Sequence, residues 1–176
     1  MCGFNEIAVT NRKLCQGDCV SGDFLAQVSK IAARNPWGIL LREKDLDAVA
    51  YRALAGQVKE RCGDVPLIAH TYPVEGLPLH VPFSFDMPPG ASVSIHSAEE
   101  AKRAEELGAR FVIAGHIFET QSKPGIRPRG LAFLRDICES VDIPVFAIGG
   151  ITDENAQDCI AAGAYGICRM SYWMHL

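Results

Sequence analysis

The sequence of 176 residues lacks the features of several specialised classes of protein. It has no apolar run near the roughly 20 residues that a helix needs to cross a bilayer, so we expect no membrane partner. It has no excess of positive charge, because its formal net charge is -4, and this argues against a nucleic-acid partner. It begins without a basic segment followed by a long apolar one, so we expect no secretory signal and predict a cytoplasmic protein.

The seven cysteines lack the spacing of a metal site. No CxxC pair occurs, and the CxxxC spacing of Cys15 and Cys19 has no matching His or Cys pair to complete a zinc site. Cys138 and Cys159 fall in helical patterns and Cys168 in a strand pattern, where small buried residues are expected. We therefore predict reduced, packed thiols for most of the seven and leave a redox role open for Cys15 and Cys19.

Short apolar segments alternate with amphipathic ones along the chain. Hydrophobic residues make up 48% and charged residues 22% of the sequence, which suits one globular domain over residues 1–176. Eight segments have the length and composition of strands. They are 6–10, 37–42, 66–70, 77–81, 92–96, 111–114, 144–148 and 166–170. The helical patterns are 24–34, 45–61, 98–107, 130–140 and 152–162.

The order of these segments predicts an α/β protein with a parallel sheet. Eight strands favour a closed (β/α)8 TIM barrel, although the pattern leaves an open doubly wound sheet as the alternative. The link from His70 to Leu77 is too short for a helical crossover, which needs about a dozen residues, and only residues 171–176 follow Met170. We therefore predict a trimmed barrel, in which the crossover helix after strand three and the final helix are short or missing.

Polar residues and glycines mark the ends of two predicted helices. Asp45 is the expected cap of the helix 45–61. Ser97 begins the next helix with Glu100 at capping-box spacing, and Gly108 ends it.

His116 is the candidate for chemistry in the segment 108–131. The apolar run 111–114 leads to His116, and a loop with Thr120 and Lys123 follows. Because imidazole has the unperturbed pKa nearest neutrality, such a histidine can shuttle a proton beside groups that bind anions. The alternative is a structural histidine after a buried strand.

Other polar groups follow the predicted strands, where the chemistry of such barrels lies. Gly149-Gly150 joins a strand to a helix, and a glycine pair lets a phosphate approach backbone N–H groups there, unless it is only a tight turn. Arg42 and Lys44 follow strand two and either grip an anion together or form a solvated charge cluster. Further hydroxyls at strand ends are those of Ser94 and Ser171.

Several stretches of the chain resemble the thiamine-phosphate synthase/TenI superfamily. They are LLREK at 40–44, SVSIHSAEEAKRAEELGARFV at 92–112, GHIFETQSK at 115–123 and IPVFAIGGITDENAQDCIAAGAYGICRMS at 143–171. AVTNR at 8–12 is also similar to the family's first strand. The resemblance covers most of the chain, and the (β/α)8 barrel that it implies agrees with the strand pattern.

GHIFET is similar to the TenI-type thiazole tautomerase, with His116 at the position of its histidine. The resemblance implies an isomerase of thiamine biosynthesis, which converts a carboxythiazole phosphate tautomer to the aromatic form. It implies that His116 donates and accepts the proton, with no metal and no cofactor. The residues implied to contact the substrate or its phosphate are Arg42, Lys44, Ser94, Thr120, Lys123, Gly149, Gly150 and Ser171.

The synthase branch of the superfamily is the alternative enzyme. It couples a pyrimidine pyrophosphate to a thiazole phosphate with Mg²⁺, and its pattern has a Gln before the Arg, an Asn-Asp pair after strand three and an Asp after strand four. This sequence has Leu40, His70-Thr71 and His80-Val81-Pro82-Phe83-Ser84 in those places, whereas Mg²⁺ prefers hard anionic oxygen ligands. A non-catalytic regulatory protein that binds a thiazole or thiamine phosphate is a third possibility.

The expected partners are a phosphorylated thiazole and a second copy of the chain. Missing helices should leave apolar barrel wall uncovered, and such patches are usually buried in an interface. Tyr172 and Trp173 are candidates to cover that wall, either within the subunit or across a homodimer.

Overall fold

A computed structural model describes residues 4–15, 22–84, 86–122 and 124–176. Its strands follow one another in sequence order around a closed barrel, and neighbouring strands pair in parallel. The predicted (β/α)8 TIM barrel is therefore confirmed over the open sheet. The strands are β1 (Asn5–Val9), β2 (Gly38–Leu41), β3 (Leu67–His70), β4 (Leu79–Pro82), β5 (Ser92–Ile95), β6 (Val112–Gly115), β7 (Val145–Ile148) and β8 (Gly166–Arg169).

The helices confirm that the barrel is trimmed. Residues 71–78, all of which the structure describes, contain no helix, and α6 is only four residues long. The described residues between β4 and β5 also contain no helix, a further shortening that the sequence pattern did not single out. The helices are α1 (Gly22–Ala33), α2 (Ala48–Cys62), α3 (Ala98–Glu106), α4 (Gly130–Ser140), α5 (Ala156–Ala161) and α6 (Ser171–Met174), with a 3₁₀ turn at Arg12–Leu14.

Within the described ranges, we find no helix with both the length and the apolar character that a membrane crossing demands.

The chain divides into two compact units. The first unit contains Glu6–Leu79 and Arg169–Leu176, and the second contains His80–Cys168 together with residues 4 and 5. The assignment of residues 1–176 to a single domain stays a prediction.

Each unit has its own buried apolar cluster. In the first unit, Phe24 of α1 and Tyr51 of α2 pack with residues of β1, β2 and β3. In the second unit, Leu134 and Ile137 of α4 pack with residues of β5, β6 and β7. The apolar faces of these helices therefore cover the strands that carry the candidate site residues.

The C-terminal residues cover part of the first unit from within the same subunit. Trp173 is buried, and its indole N–H donates to a Glu6 carboxylate oxygen at 2.6 Å. Arg169 also donates to Glu6, at 2.6 and 2.8 Å, and Gln27 donates to the Trp173 carbonyl at 2.6 Å. Tyr172 is 39% exposed, with the Arg169 guanidinium 3.6 Å from its ring centroid. Of the two expected arrangements for Trp173, the structure has the intramolecular one.

One predicted helix cap is wrong and one is confirmed. Asp47, not Asp45, caps α2, because its side chain accepts from the N–H groups of residues 49 and 50 at 2.9 and 2.8 Å. Asp45 instead pairs with Arg12. Ser97 caps α3 by accepting from the Glu100 N–H at 3.1 Å. The expected end at Gly108 is confirmed, since its φ of +81° is the left-handed conformation that glycine favours.

The described cysteines are mostly enclosed by the fold. Cys15, Cys62, Cys159 and Cys168 are buried, and Cys138 is half-buried. Burial raises the pKa of Cys62, Cys138 and Cys159 to about 11, so these thiols are poor nucleophiles at neutral pH. The redox question for Cys15 and Cys19 stays open, because Cys2 and Cys19 lie outside the described residues.

Candidate active site

His116 is the residue immediately after β6, and it combines burial with an unusual backbone conformation. Its side chain is almost enclosed, with 5% of the residue exposed. Its φ is +58°, a left-handed value that is uncommon outside glycine and that is often retained at functional sites. Among the described residues, its Nε2 is a buried side-chain nitrogen without a hydrogen-bond partner. A buried polar atom of this kind is rare and calls for an explanation such as a ligand.

Backbone hydrogen bonds on both sides hold His116 in this conformation. The His116 carbonyl accepts from the Arg129 N–H at 2.8 Å, and the Ile117 carbonyl accepts from the Gly130 N–H at 3.0 Å. The Ile117 N–H donates to the Ile148 carbonyl at 3.1 Å, which ties the segment to the end of β7. The imidazole is therefore carried by backbone fixed to β7 and to the start of α4, as a reactive group that must be preorganised would require.

Gly149 and Gly150 lie against the segment that follows β6. A Cβ on Gly149 would stand 2.9 Å from the His116 Cα, and one on Gly150 would collide with the backbone of Phe118 and Glu119. Both glycines have positive φ, +110° and +65°, so a side chain would also be strained there. The pair therefore has a packing role that the sequence did not indicate, in addition to its predicted role with phosphate.

Some of the polar groups around the glycine pair are already engaged by the protein. The Asn155 side chain accepts from the Thr152 N–H at 2.8 Å and donates to the Gly150 carbonyl at 3.0 Å. The Gly149 carbonyl accepts from the Phe118 N–H at 2.9 Å. Helix α5 begins only at Ala156, later than the predicted start at residue 152. A phosphate at this turn stays a prediction, and the Thr152 N–H is not available to it without moving Asn155.

His80 forms a polar cluster with two serines inside the second unit. It is 1% exposed, its Nδ1 lies 2.9 Å from the Ser92 hydroxyl, and its Nε2 lies 2.8 Å from the Ser94 hydroxyl. Ser92 and Ser94 share one face of β5 because side chains alternate along a strand. Ser94, a predicted substrate contact, is partly exposed and held by a buried imidazole. The two-residue spacing of the serines was the available signal for this cluster, and the sequence reading did not use it.

Thr120 and Lys123 belong to the loop between β6 and α4. Thr120 is half-buried, and its hydroxyl accepts from the Ser122 N–H at 3.3 Å. Lys123 lies outside the described residues, so its predicted role has no structural account. In the same unit, Arg129 donates to the His96 carbonyl at 2.7 Å, and His96 itself is an exposed side chain that faces Glu100 at 3.4 Å.

In the first unit, Arg42 and Lys44 follow β2 and place positive charge near His70 at the end of β3. Burial, followed in importance by the charges of Arg42 and Lys44, lowers the pKa of His70 to about 4. His70 is therefore neutral at pH 7. Burial also lowers the pKa of Arg42 from its ordinary value, while the Glu43 carboxylate opposes that shift.

The end of β3 is strained. Thr71 has a φ of +67°, which is a true outlier for a β-branched residue, and its hydroxyl lies 2.8 Å from Nδ1 of His70. The Tyr72 N–H closes a three-residue turn onto the His70 carbonyl at 2.7 Å. The Tyr51 hydroxyl accepts from the His70 N–H and donates to the Leu41 carbonyl, both at 2.7 Å. A side chain of α2 thus joins the ends of β2 and β3.

Ser171, the remaining predicted contact, is the exposed first residue of α6 in the first unit. The predicted site residues that the structure describes thus fall into two groups. Those in the second unit are Ser94, His116, Thr120, Gly149 and Gly150, and those in the first unit are Arg42, Lys44 and Ser171. The residues that sequence reasoning missed or left without a role are Glu43, Tyr51, His80, Ser92 and Asn155.

The side chains at the ends of these strands do not suit Mg²⁺, the ion that the synthase branch uses. Among the described residues, no group of three or more His, Cys, Asp and Glu side chains is arranged to hold a metal ion. Where the branch has an Asn-Asp pair, this chain has His70 and Thr71, with the charges of Arg42 and Lys44 nearby. Positive charge and a neutral imidazole disfavour a hard dication, which prefers carboxylate oxygens.

Comparison with known proteins places the chain in a family of related barrels. A family described as Thiamine monophosphate synthase matches residues 91–172. A protein of Aquifex aeolicus named "Putative thiamine-phosphate synthase 2" is 34% identical, over 95% of this chain and 96% of its own length. The thiamine-phosphate synthase of Coprothermobacter proteolyticus is 35% identical, over 84% of this chain and 78% of its own. The chain belongs to the thiamine-phosphate synthase/TenI superfamily.

A solved structure supports the same assignment. The thiamine phosphate pyrophosphorylase from Pyrococcus furiosus superposes with a TM-score of 0.81 at 26% identity, covering 98% of this chain and 88% of that one. A (S)-3-O-geranylgeranylglyceryl phosphate synthase from Thermoplasma acidophilum superposes with a TM-score of 0.64 at 16% identity, which is a likeness of fold alone. The superfamily and barrel expected from the sequence motifs are thus confirmed.

Proposed function

We propose that the protein is a thiazole tautomerase, an isomerase that moves a proton on a carboxythiazole phosphate. The observation that carries this proposal is the buried Nε2 of His116, which lacks a partner among the described residues. An imidazole can take up one proton and release another near neutral pH, so a single group can serve as both base and acid. The reaction removes a proton from one atom of the ligand and adds one at another, and no other co-reactant is required.

The other two buried imidazoles are less suited to this role. His80 uses both ring nitrogens in hydrogen bonds to Ser92 and Ser94. His70 holds its Nδ1 against the Thr71 hydroxyl, and its pKa of about 4 makes it a weak base at pH 7. We therefore propose that the His116 imidazole transfers the proton. In the complex it should lie within about 3 Å of the reacting carbon or of a bridging water.

The ligand contacts are part of the proposal. Gly149, Gly150 and Ser171 are proposed to hold the phosphate, while Arg42, Lys44, Ser94, Thr120 and Lys123 are proposed to contact the rest of the thiazole or its carboxylate. Positive side chains suit the anionic groups, and hydroxyls can donate to them. We further propose that the protein works in the cytoplasm as a homodimer and without a cofactor; sizing with light scattering at micromolar concentration tests the dimer.

Thiamine-phosphate synthase is the second candidate, and the names of the relatives favour it. Two relatives and a solved structure carry the name of that activity, whereas none of those three carries the name of a tautomerase. The groups at the end of β3 favour the tautomerase instead, because a neutral His70 near the charges of Arg42 and Lys44 does not suit the Mg²⁺ of the synthase branch. The two candidates use the same class of ligand, a phosphorylated thiazole, and differ in the chemistry performed on it.

One assay separates the candidates. The protein is mixed in D₂O with the carboxythiazole phosphate tautomer, the pyrimidine pyrophosphate and Mg²⁺, and products are followed by NMR. The tautomerase proposal predicts the aromatic thiazole with deuterium incorporated from solvent, at a rate that is unchanged when Mg²⁺ is replaced by EDTA. Formation of thiamine phosphate at enzymatic rates would establish the synthase. Ligand binding without either product would identify a non-catalytic binding protein.

A further inference from the structure

The segment Arg42-Glu43-Lys44 turns its middle residue away from its neighbours. Glu43 is buried, with 2% of the residue exposed, whereas Arg42 is half-buried and Lys44 is exposed. A buried carboxylate needs partners to offset its desolvation. The buried carboxylate of Glu43 therefore lies between two more exposed cations and has to find its partners elsewhere in the fold.

The Glu43 carboxylate is held by residues that follow β1. It accepts from the Thr10 hydroxyl at 2.7 Å, from the Arg12 backbone N–H at 3.0 and 3.1 Å, and from the Arg12 guanidinium at 3.4 Å. The Thr10 hydroxyl in turn accepts from the Arg42 backbone N–H at 3.0 Å. One hydroxyl thus joins the backbone of Arg42 to the carboxylate of Glu43, which fixes the backbone on one side of the two cations.

Asp45, the next acidic residue of the segment, is engaged by basic residues that follow β1. Arg12 makes its bidentate pair with Asp45, at 2.9 and 2.7 Å, and Lys13 also pairs with Asp45 at 3.3 Å. The charges of Arg42 and Lys44 both act on His70. Thr10, Arg12 and Lys13 therefore hold the carboxylates of Glu43 and Asp45. The charges of Arg42 and Lys44 are felt at the end of β3, and the Glu43 carboxylate also acts on Arg42.

We propose that Glu43 is a positioning residue that, through Thr10, holds Arg42 and Lys44 as a two-cation clamp for an anionic group of the ligand. The hydrogen bonds of the Thr10 hydroxyl to the Glu43 carboxylate and to the Arg42 N–H set the direction of the backbone from which both cations extend. The clamp gains its affinity from preorganisation, because the backbone of the segment is already ordered before the anion arrives. This inference rests on the proposed function only in that the ligand carries such a group.

The test is calorimetric titration with inorganic pyrophosphate in EDTA, which requires no turnover. Arg42→Gln defines the loss expected when one cation is removed. Thr10→Val removes the hydroxyl at nearly constant volume, and we expect it to weaken binding about tenfold. Thr10→Ser restores a hydroxyl and should bind within about twofold of the natural protein. Asp45→Asn is the matched control, since it loosens only the exposed side of Arg12 and Lys13, and it should also remain within about twofold.

Thr10→Val and Thr10→Ser leave Glu43 in place, so the test does not depend on whether a variant without the buried carboxylate folds. Equal pyrophosphate affinity in Thr10→Val, Thr10→Ser and the natural protein would overturn the positioning role. Pyrophosphate affinity that Arg42→Gln leaves unchanged, or absence of binding by the natural protein, would overturn the clamp itself. A protein that shows the expected affinities and fails to tautomerise the thiazole would refute the proposed function and leave this inference standing.

Discussion

His80 and His116 are both buried histidines of the second unit, yet their surroundings differ in one decisive respect. His80 lies within a regular strand and has a serine hydroxyl at each ring nitrogen. His116 lies just after a strand, in a left-handed conformation, with Nε2 unpartnered among the described residues. A satisfied imidazole stabilises the fold, whereas an unsatisfied one reduces stability unless a ligand completes it. Polar satisfaction therefore separates the structural histidine from the candidate catalytic one better than burial does.

The largest effect is expected from His116→Asn. Asparagine tolerates a positive φ, so the free energy of unfolding should stay within about 1 kcal/mol of the natural value. It cannot shuttle a proton near neutral pH, so turnover of the thiazole tautomer should fall by at least about 100-fold. Affinity for carboxythiazole phosphate should remain within about tenfold. Steady-state kinetics, calorimetry and urea unfolding measure the three quantities.

His80→Asn is the matched control for that variant. It should lower stability, because the hydroxyls of Ser92 and Ser94 lose their imidazole partner, and should reduce turnover much less than His116→Asn does. The role assignment is wrong if His116→Asn turns over normally while His80→Asn or His96→Asn does not.

The next effect concerns His70, the third buried imidazole. Its pKa in the folded protein is about 4, below the ordinary value of 6.5, so the unfolded chain binds more protons between these two pH values. The contribution of His70 to stability is therefore fully present above pH 6.5, falls as the pH drops toward 4, and is constant below that. The loss reaches on the order of 3 kcal/mol. The free energy of unfolding in urea is measured from pH 7 to 4 for the natural protein and for His70→Gln, and the difference between the two gives the contribution of His70. A difference that does not change with pH would contradict the prediction.

A smaller effect is expected from Gly150→Ala, which tests what holds the His116 segment. The new Cβ would collide with the backbone of Phe118 and Glu119, and the φ of +65° would be strained for alanine. We expect unfolding free energy to decrease by about 2 kcal/mol, with a loss of turnover because the segment of His116 shifts. Gly125→Ala is the control, since its φ is also positive and nothing lies within 4 Å of a Cβ there. Equal stability losses in the two variants would show that the packing against Phe118 is unimportant.

The smallest effect is expected from Ser92→Ala, which removes a hydroxyl from the satisfied histidine. The change should destabilise the fold by about 1 kcal/mol, because a buried nitrogen of His80 loses a partner. Turnover should change by less than about threefold, since Ser92 itself is buried away from solvent. A loss of turnover comparable with that of His116→Asn would mean that the His80 cluster, and not His116, carries the chemistry.

The strands and the barrel were predictable because each strand is a short apolar run that ends at polar residues. The position of His116 was predictable for the same reason, since it follows the run 111–114. The missing helix after β3 was readable from the length of the link between His70 and Leu77, whereas the lack of a helix among the described residues between β4 and β5 was not singled out. These are local properties of the chain, which a single sequence records.

The features that escaped prediction depend on contacts between distant segments. Asp45 and Asp47 are equally good caps by residue type, and the salt bridge that engages Asp45 joins it to Arg12, which is distant in sequence. The glycine pair reads as a phosphate loop because its packing against residues 116–119 is invisible in sequence. The partners of Glu43 follow β1, and those of His80 lie on β5. The spacing of Ser92 and Ser94 shows only that the two serines share a face of β5, and it does not show which side chain faces them.

The central claim is that the unpartnered nitrogen of His116 is the one that meets the ligand. It is tested most directly by NMR of the protein labelled with ¹⁵N in its histidine rings, titrated with carboxythiazole phosphate, with His116→Asn used for assignment. The account predicts that the Nε2 resonance of His116 shifts strongly on binding, while both ring nitrogens of His80 stay close to their positions in the free protein. A ligand that binds and moves the His80 resonances while those of His116 remain unchanged would contradict it.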